Sequence, residues 1–458
     1  MPPPPGFKVL IVGAGVGGLM LAGLLERAQV DYEVFERAPA IKPLGSALSL
    51  GANVFYIFKQ LGLLEQLHAK AKPFGQTRAH GENHDTVRVR DYSAANEFAG
   101  YLPHIIPRPQ LYELLLSTIP PHKVHLQKRV LSLKHKEDGV SITCADKSTY
   151  EGSILVGADG AYSGVRQGLY RQLFEMELLP EADKDWEQLP FSSICLVGQT
   201  RVMDINDARF EKVLKETFSR FDIVVGDNRP YSWVTFTTRQ NTLCWMVIQH
   251  LDKESSRAHD SFRNSEWGPE SAQVMCEEVK DFPLPSYPGL TIGDLIKETD
   301  KELISKVMLE EKLFETWYGM RTVLLGDACH KVHPAAGLGA VSAIHDAVIL
   351  ANALHDLPSG EPCDITKAFQ AYRDERYPIA KVSFDTSRKM GRILGKNLIN
   401  VVIRFFINRM PVFIWNMVLI RMYGYRPQVN FLPLVPDRGS IKPAPQRSLK
   451  AVSNTVAV

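Results

Sequence analysis

The chain has 458 residues, 45% hydrophobic and 23% charged, with a formal net charge of +2. That balance is ordinary for a soluble protein of two or three domains, and it leaves no electrostatic footprint for nucleic acid. The six cysteines, at 144, 195, 244, 276, 329 and 363, form no CxxC pair, which argues against a disulfide scaffold or a zinc site and fits reduced thiols inside the cell.

The opening MPPPPGFKVL lacks the basic-then-apolar pattern of a secretory signal, and the fold is expected to begin near Phe7. VLIVGAG then reads as a buried parallel strand, GLMLAGLLERA as a helix and YEVFER as the next strand. ANVFYIFKQLGLLEQLHAKA reads as a helix with a stop near Gly62. From 74 to 101 the pattern loosens. TVRVRDY alternates like an exposed strand, and this stretch is expected to join a sheet formed later in the chain. RPQLYELLLSTIP, from Arg108, reads as a helix closed by Pro120 and Pro121. Alternating strands follow and end in a second buried strand, SILVGADG.

Residues 176–300 change character. FSSICLVGQTRV, SWVTFTTR and TLCWMVIQHL predict an antiparallel substrate sheet rather than further β-α-β units. Nucleotide-type signals return with TVLLGDACHKVHPAAGLGAV. The expected organisation is a first nucleotide-binding part at 7–175, an inserted sheet at 176–300 and a second nucleotide-binding part at 301–390. An apolar helical extension follows at 391–430, and an extended or disordered tail at 431–458. No run of eighteen uncharged apolar residues predicts a spanning helix. Asn397–Tyr425 comes nearest, but Arg404, Arg409, Pro411 and Arg421 interrupt it. It reads either as core or as a peripheral membrane contact over 397–425.

Three motifs carry chemistry. Gly13, Gly15 and Gly18 have GxGxxG spacing between a strand and a helix. The first permits the turn, the second admits a pyrophosphate, and the third lets helix and strand pack. The phosphate would meet free amides at a helix N-terminus. Glu36, at the next strand end with Arg37 beside it, suits ribose hydroxyls. Alone, this predicts a dinucleotide site without saying which dinucleotide. The second motif, Asp159, Gly160, Ser163 and Arg166, allows close backbone approach; read bare, it is a turn whose serine caps a helix. In the third, Gly326 and Asp327 end a buried strand, and Asp327 suits a polyol. Pro334, Gly337, Leu338, Gly339 and Ala340 let a flat ring lie against backbone. A helix starting near Val341 would stabilise negative charge there; the plain alternative is a loop leading into a core helix.

In this order the motifs resemble the single-component flavoprotein monooxygenases of the p-hydroxybenzoate hydroxylase type, including salicylate hydroxylases, zeaxanthin epoxidases and fungal secondary-metabolism epoxidases. The resemblance spans about residues 7 to 390. It implies an α/β fold: a Rossmann-like FAD-binding domain with an inserted mixed or antiparallel substrate sheet and a C-terminal helical extension. It places the ADP half of FAD at Gly13, Gly15, Gly18 and Glu36, and the ribityl chain and flavin ring at Gly326, Asp327, Pro334 and Gly337–Ala340. Asp159, with Gly160 and Arg166, would serve FAD and a passing NADH or NADPH, and Arg108 matches an arginine that contacts FAD.

The resemblance further implies that NAD(P)H reduces FAD and that a flavin hydroperoxide transfers oxygen to a small aromatic or isoprenoid-like substrate. Gly337-Leu338-Gly339 and Ser342 depart from the family's usual glutamine and asparagine. No second GxGxxG turn predicts a separate nicotinamide domain. His330 and His333 flank the ring loop, but no catalytic base and no metal site is assigned. Phe221, Trp233, Phe236, Trp245 and Met246 can line an apolar pocket or form sheet core. The alternatives are a same-fold dehydrogenase or halogenase, or a flavin-bound scaffold without turnover. The expected location is cytoplasmic or peripheral to a membrane, and no oligomeric state is predicted.

Overall fold

The computed structural model describes residues 4–40, 46–82, 86–179, 184–226, 229–251, 269–393 and 398–449. Its first layer is a six-stranded sheet. Five of its neighbouring strands run parallel in the order Thr322–Leu324, Ile154–Gly157, Lys8–Val12, Asp31–Phe35 and Val124–His125. Ile154–Gly157 is buried at every position. Both faces are covered, so the strand sequences read as continuous apolar runs instead of alternating ones.

The helix Val16–Arg27 shows why the glycine turn is so apolar beyond its glycines. Leu19, Leu21, Leu24 and Leu25 are fully buried, and the helix packs extensively against Gly339–His355. The approach is close at Gly17, where an added Cβ would lie 2.3 Å from Leu325 Cδ2 and 3.2 Å from Ala343 Cβ.

The second layer is a seven-stranded sheet in the order Ser305–Glu310, Phe191–Gln199, Leu243–His250, Tyr231–Thr237, Phe221–Val225, Gln76–His80 and Thr86–Asp91. The pairing is antiparallel except between Phe221–Val225 and Gln76–His80. The expected α/β fold with an inserted mixed sheet is therefore present. The two early strands reach this sheet from inside the first nucleotide-binding part of the sequence.

The sheet's two faces have separate cores. Trp233, Trp245, Val247, Leu196 and Val224 pack away from the nucleotide domain, with Phe282, Tyr287 and Leu295. Phe236, Val234, Cys244, Phe221 and Ile223 share the other face with Phe74 and Ala47, and Met246 extends it to Cys195 and Ile248. Period-two alternation thus divides the five residues offered as one pocket. Trp233 and Trp245 belong to the far core, where their indole N–H groups donate to Pro283 O and Thr299 Oγ1.

A long helix, Pro362–Ile393, leads to two shorter ones, Leu398–Asn408 and Val412–Tyr423. Among the described residues, no helix is long and apolar enough to cross a membrane. The tail through residue 449 has no helix or strand beyond Tyr423 but is tied down. Arg426 pairs with Asp437 at 2.8 Å, Gln446 bonds the backbone of Gln428, and Ser448 N donates to Glu375 Oε2. Asn397, residues 450–458 of the tail and 252–268 of the inserted span lie outside the described residues.

Candidate cofactor site

The three motif loops leave the same end of three adjacent parallel strands. Their first amides continue the ladder: Gly13 N donates to Phe35 O, Ala158 N to Val12 O and Leu325 N to Gly157 O, at 2.8, 2.8 and 2.9 Å. The glycines divide the work. Gly13 has φ 108°, and a Cβ there would lie 2.4 Å from Ala158 O; at Gly18 it would lie 2.1 Å from Gly13 O. At Gly15 it would meet only Ala158 O, at 4.0 Å. Two glycines serve chain packing, and the middle one faces open space.

Gly15 opens its helix with no side-chain cap and no acid in the first turn. The free amide donors and the positive helix end suit a diphosphate. Glu36 is held beside them, accepting Ala14 N on Oε2 and Ala38 N on Oε1, both at 2.9 Å. Each oxygen keeps a lone pair for a hydroxyl donor. Arg37 is exposed. Glu36→Ala is expected to weaken FAD affinity about 10–100-fold, the worth of a hydrogen bond to a charged group, with Glu36→Gln intermediate. Titration of flavin-stripped protein with FAD measures both.

Asp159 is used by its own loop. Oδ1 accepts Ser163 Oγ at 2.5 Å and Oδ2 accepts Val165 N at 3.2 Å; burial pushes its carboxyl above the usual range. Ser163 Oγ in turn accepts Arg166 N at 2.9 Å, so the capping role is present. Gly160 takes φ 84°. Arg166 is buried, and its guanidinium donates to Ala328 O and Ala161 O, both at 2.8 Å, over the Phe314 ring. It clamps the second motif loop to the third. Arg108, at the start of its helix, donates from Nε to Tyr112 Oη at 2.9 Å.

The third loop is held from beneath. Gly326, at φ 63°, donates its N–H to Asp346 Oδ2 at 3.0 Å. The same oxygen lies 2.5 Å from His330 Nε2, and Oδ1 accepts Arg376 Nε at 2.8 Å. Burial raises the Asp346 carboxyl, but His330 and Arg376 outweigh it and hold the group well below the carboxylate range. Arg376 Nη2 continues to Ser342 O. Cys329, His330 and Asp346 bring potential metal ligands within 4.8 Å of one another. Arg376 already supplies the positive charge there, and burial pushes the Cys329 thiol far up, so the cluster serves as an ion network. Asp327 lies above it, 2.6 Å from Lys331 Nζ and part-exposed.

Pro334 to Ala340 form a strip of small residues, none of them buried. Gly337 has φ 63°, and a Cβ there would sit 3.2 Å from Ser49 Cβ, so this loop lies against the strand Ala47–Leu50. That strand also meets the inserted sheet, with Ala47 N donating to Cys244 Sγ. Leu338 opens the helix Gly339–His355 with no side-chain cap and no acid in its first turn. Gly17 and Gly326 both abut Ala343, which draws two uncapped helix N-termini together. An extended ligand with a diphosphate at one end and a flat, charge-accepting ring at the other fits this arrangement. Asp346, Arg376 and Ser49 are the residues that sequence reasoning missed. The one local signal was an acid inside the apolar helix run VSAIHDAVILANAL.

His333 beside the ring strip accepts Ala335 N on Nδ1, and burial lowers its pKa to about 4. Burial likewise lowers His104 to about 4 and His345 to about 3. Each binds fewer protons folded than unfolded. Their stabilisation is complete above the unfolded pKa near 6.5 and is lost as pH falls towards 4. A loss of about 2–3 kcal/mol per histidine is expected across that window. Urea midpoints between pH 7.5 and 4.5 read it, and His104→Gln should flatten the slope.

Residues 6–195 and 288–387 match the FAD binding domain family. The chain belongs to that family, the FAD-dependent flavoprotein monooxygenases. It is 29% identical to the FAD-dependent monooxygenase paxM of Penicillium paxilli over 84% of this chain and 78% of that one. It is 26% identical to the FAD-dependent monooxygenase atmM of Aspergillus flavus, over 93% and 87%. Klebsiella pneumoniae HpxO, solved with FAD and uric acid, shares the fold with a TM-score of 0.72 at 18% identity, covering 91% of this chain and 96% of that one.

Proposed function

We propose that this enzyme uses NAD(P)H and dioxygen to hydroxylate or epoxidise an apolar, isoprenoid-like substrate at the face of the inserted sheet. When bound, FAD supplies the electron relay from nicotinamide to dioxygen and the oxygen transfer. The chain's own residues hold and shield it. The Gly13–Gly18 turn and Glu36 take the adenosine diphosphate end, and Asp327 takes the polyol. The free amides opening Gly339–His355 steady negative charge on the ring.

One observation carries the choice of substrate. The sheet face adjoining the Ala47 strand presents Cys195, Val197, Met246, Val234, Phe236 and Ile223. None of these is charged, and Val197, Met246 and Ile223 are only partly covered. An aromatic acid would need a cation on this wall to hold its carboxylate, and the two arginines that share the face, Arg88 and Arg90, are engaged by Asn408 Oδ1 and Ile407 O. An alkene chain needs only apolar surface and exclusion of water.

The test is NAD(P)H oxidation by purified, flavin-loaded protein with isoprenoid alkenes and with aromatic acids, under labelled dioxygen. Stimulation by the alkenes, with one labelled oxygen in the product, is expected. Stimulation by aromatic acids alone would overturn the substrate class. NAD(P)H oxidation with no labelled product from either set would overturn oxygen insertion.

A further inference from the structure

The helix Val412–Tyr423 turns Trp415, Leu419 and Tyr423 inward at four-residue spacing, all of them buried. A helix facing only water on its other side would be polar there. Instead Val412, Phe413 and Met417 stand 74%, 65% and 63% exposed. The preceding helix adds Phe405 and Phe406, at 51% and 67%. Among the described residues, burial of one stripe therefore leaves a second apolar surface without a partner.

The charge around this surface says what fits it. Between Asp385 and Asp437 the sequence has eight Lys or Arg and no Asp or Glu; Arg388 and Arg426 pair with Glu311 and Asp437, and the other six are the cations of this stretch. The Arg409 guanidinium lies 3.7 Å from the Phe405 ring centroid, placing a cation on the apolar patch itself. A second copy meeting it about a two-fold axis would set this basic region against itself. An anionic lipid surface offers the opposite charge and an apolar interior.

The inward side of the same helix connects to the proposed substrate wall. Ring centroids run from Phe236 to Phe221 at 5.1 Å, to Phe74 at 5.3 Å, to Tyr92 at 4.7 Å and to Trp415 at 5.2 Å. Arg90 anchors this end, donating to Ile407 O at 2.8 Å and lying over the Trp415 ring.

We propose that the two helices seat the enzyme peripherally on an anionic bilayer, with Phe406, Phe413 and their neighbours among the acyl chains and the arginines at headgroups. The aromatic row then marks the side from which an apolar substrate reaches the wall; that last clause rests on the substrate class proposed above.

Co-sedimentation with phosphatidylcholine vesicles, with and without phosphatidylserine, tests the docking. Wild-type protein should bind the phosphatidylserine vesicles at least about tenfold more tightly, with the difference lost in high salt. Phe406→Asp combined with Phe413→Asp should weaken binding by at least about tenfold. Both side chains are exposed, so the variant should keep its FAD content and its basal NAD(P)H oxidation. Absence of wild-type binding, or equal binding by the variant, overturns the proposal. So does a wild-type dimer in light scattering that the variant splits while neither form binds vesicles, or a soluble protein partner that the variant loses under the same condition. Vesicle binding is read without substrate, so it can fail or succeed independently of the alkene assay.

Discussion

Gly18→Ala is expected to yield folded protein that purifies without colour. The new methyl carbon would stand 2.1 Å from Gly13 O and 3.3 Å from Ala158 Cβ. Its nearest neighbour is backbone, so the glycine turn must open rather than a side chain swing aside. Opening lifts the helix start from the place where its amides meet the diphosphate, and each hydrogen bond to that charged group lost costs about 10–100-fold in affinity. FAD affinity should fall by at least that factor. Flavin absorbance of the purified protein and FAD titration read the loss, while far-UV circular dichroism confirms the fold. Gly81→Ala is the control: a Cβ there meets nothing within 4 Å, and the protein should stay yellow. A yellow Gly18→Ala protein with unchanged affinity would remove the turn from the cofactor site.

Asp346→Ala is expected to cost the most stability of any single change in the site. It would leave Arg376 buried without its counter-ion, and His330 Nε2 and Gly326 N–H without their hydrogen-bond partner. Breaking one side of a buried ion pair costs about 3–5 kcal/mol. Asp346→Asn keeps an oxygen for Gly326 N–H but removes the charge, so it should lose most of the stability and less of the FAD affinity. Urea unfolding of both variants, with FAD titration, separates the two effects. A loss under about 1 kcal/mol for the alanine variant would mean that the network does not carry the loop.

The fold class was legible because its signals are local. A doubly covered strand is a short apolar run, and a dinucleotide turn needs glycines at fixed offsets. The internal arrangement of the inserted sheet was not. Tyr231–Thr237 is buried at all seven positions, so its sequence shows no alternation to say that Trp233 and Phe236 face opposite ways. The pairing of Asp346 with Arg376 was equally silent, since the two sit on different helices and neither neighbourhood names the other. Asp159 and Arg166 were legible as members of a motif. That their polar atoms are taken up by Ser163, Val165, Ala161 and Ala328 is a matter of loop geometry. The tail reads as extended or disordered because it is rich in Pro, Ser and basic residues. Through residue 449 it has neither helix nor strand and is held by side-chain bonds from Gln428, Asn430 and Gln446 that composition does not reveal.

The position of Thr322–Leu324 in the first sheet has a consequence for how the protein is made. A ribosome that has released the first three hundred residues has completed Lys8–Val12 and Ile154–Gly157 but not the strand that pairs beyond them. Until then Ile154–Gly157, apolar on both faces, is an open edge, and open apolar edges invite association between nascent chains. The helix Gly339–His355, which supplies the second end of the cofactor cradle, emerges later still. FAD can lock the fold only at that point, and it stabilises only the finished form. Riboflavin supply to the expressing cell should therefore govern the yield of soluble protein, and not merely the fraction that is active.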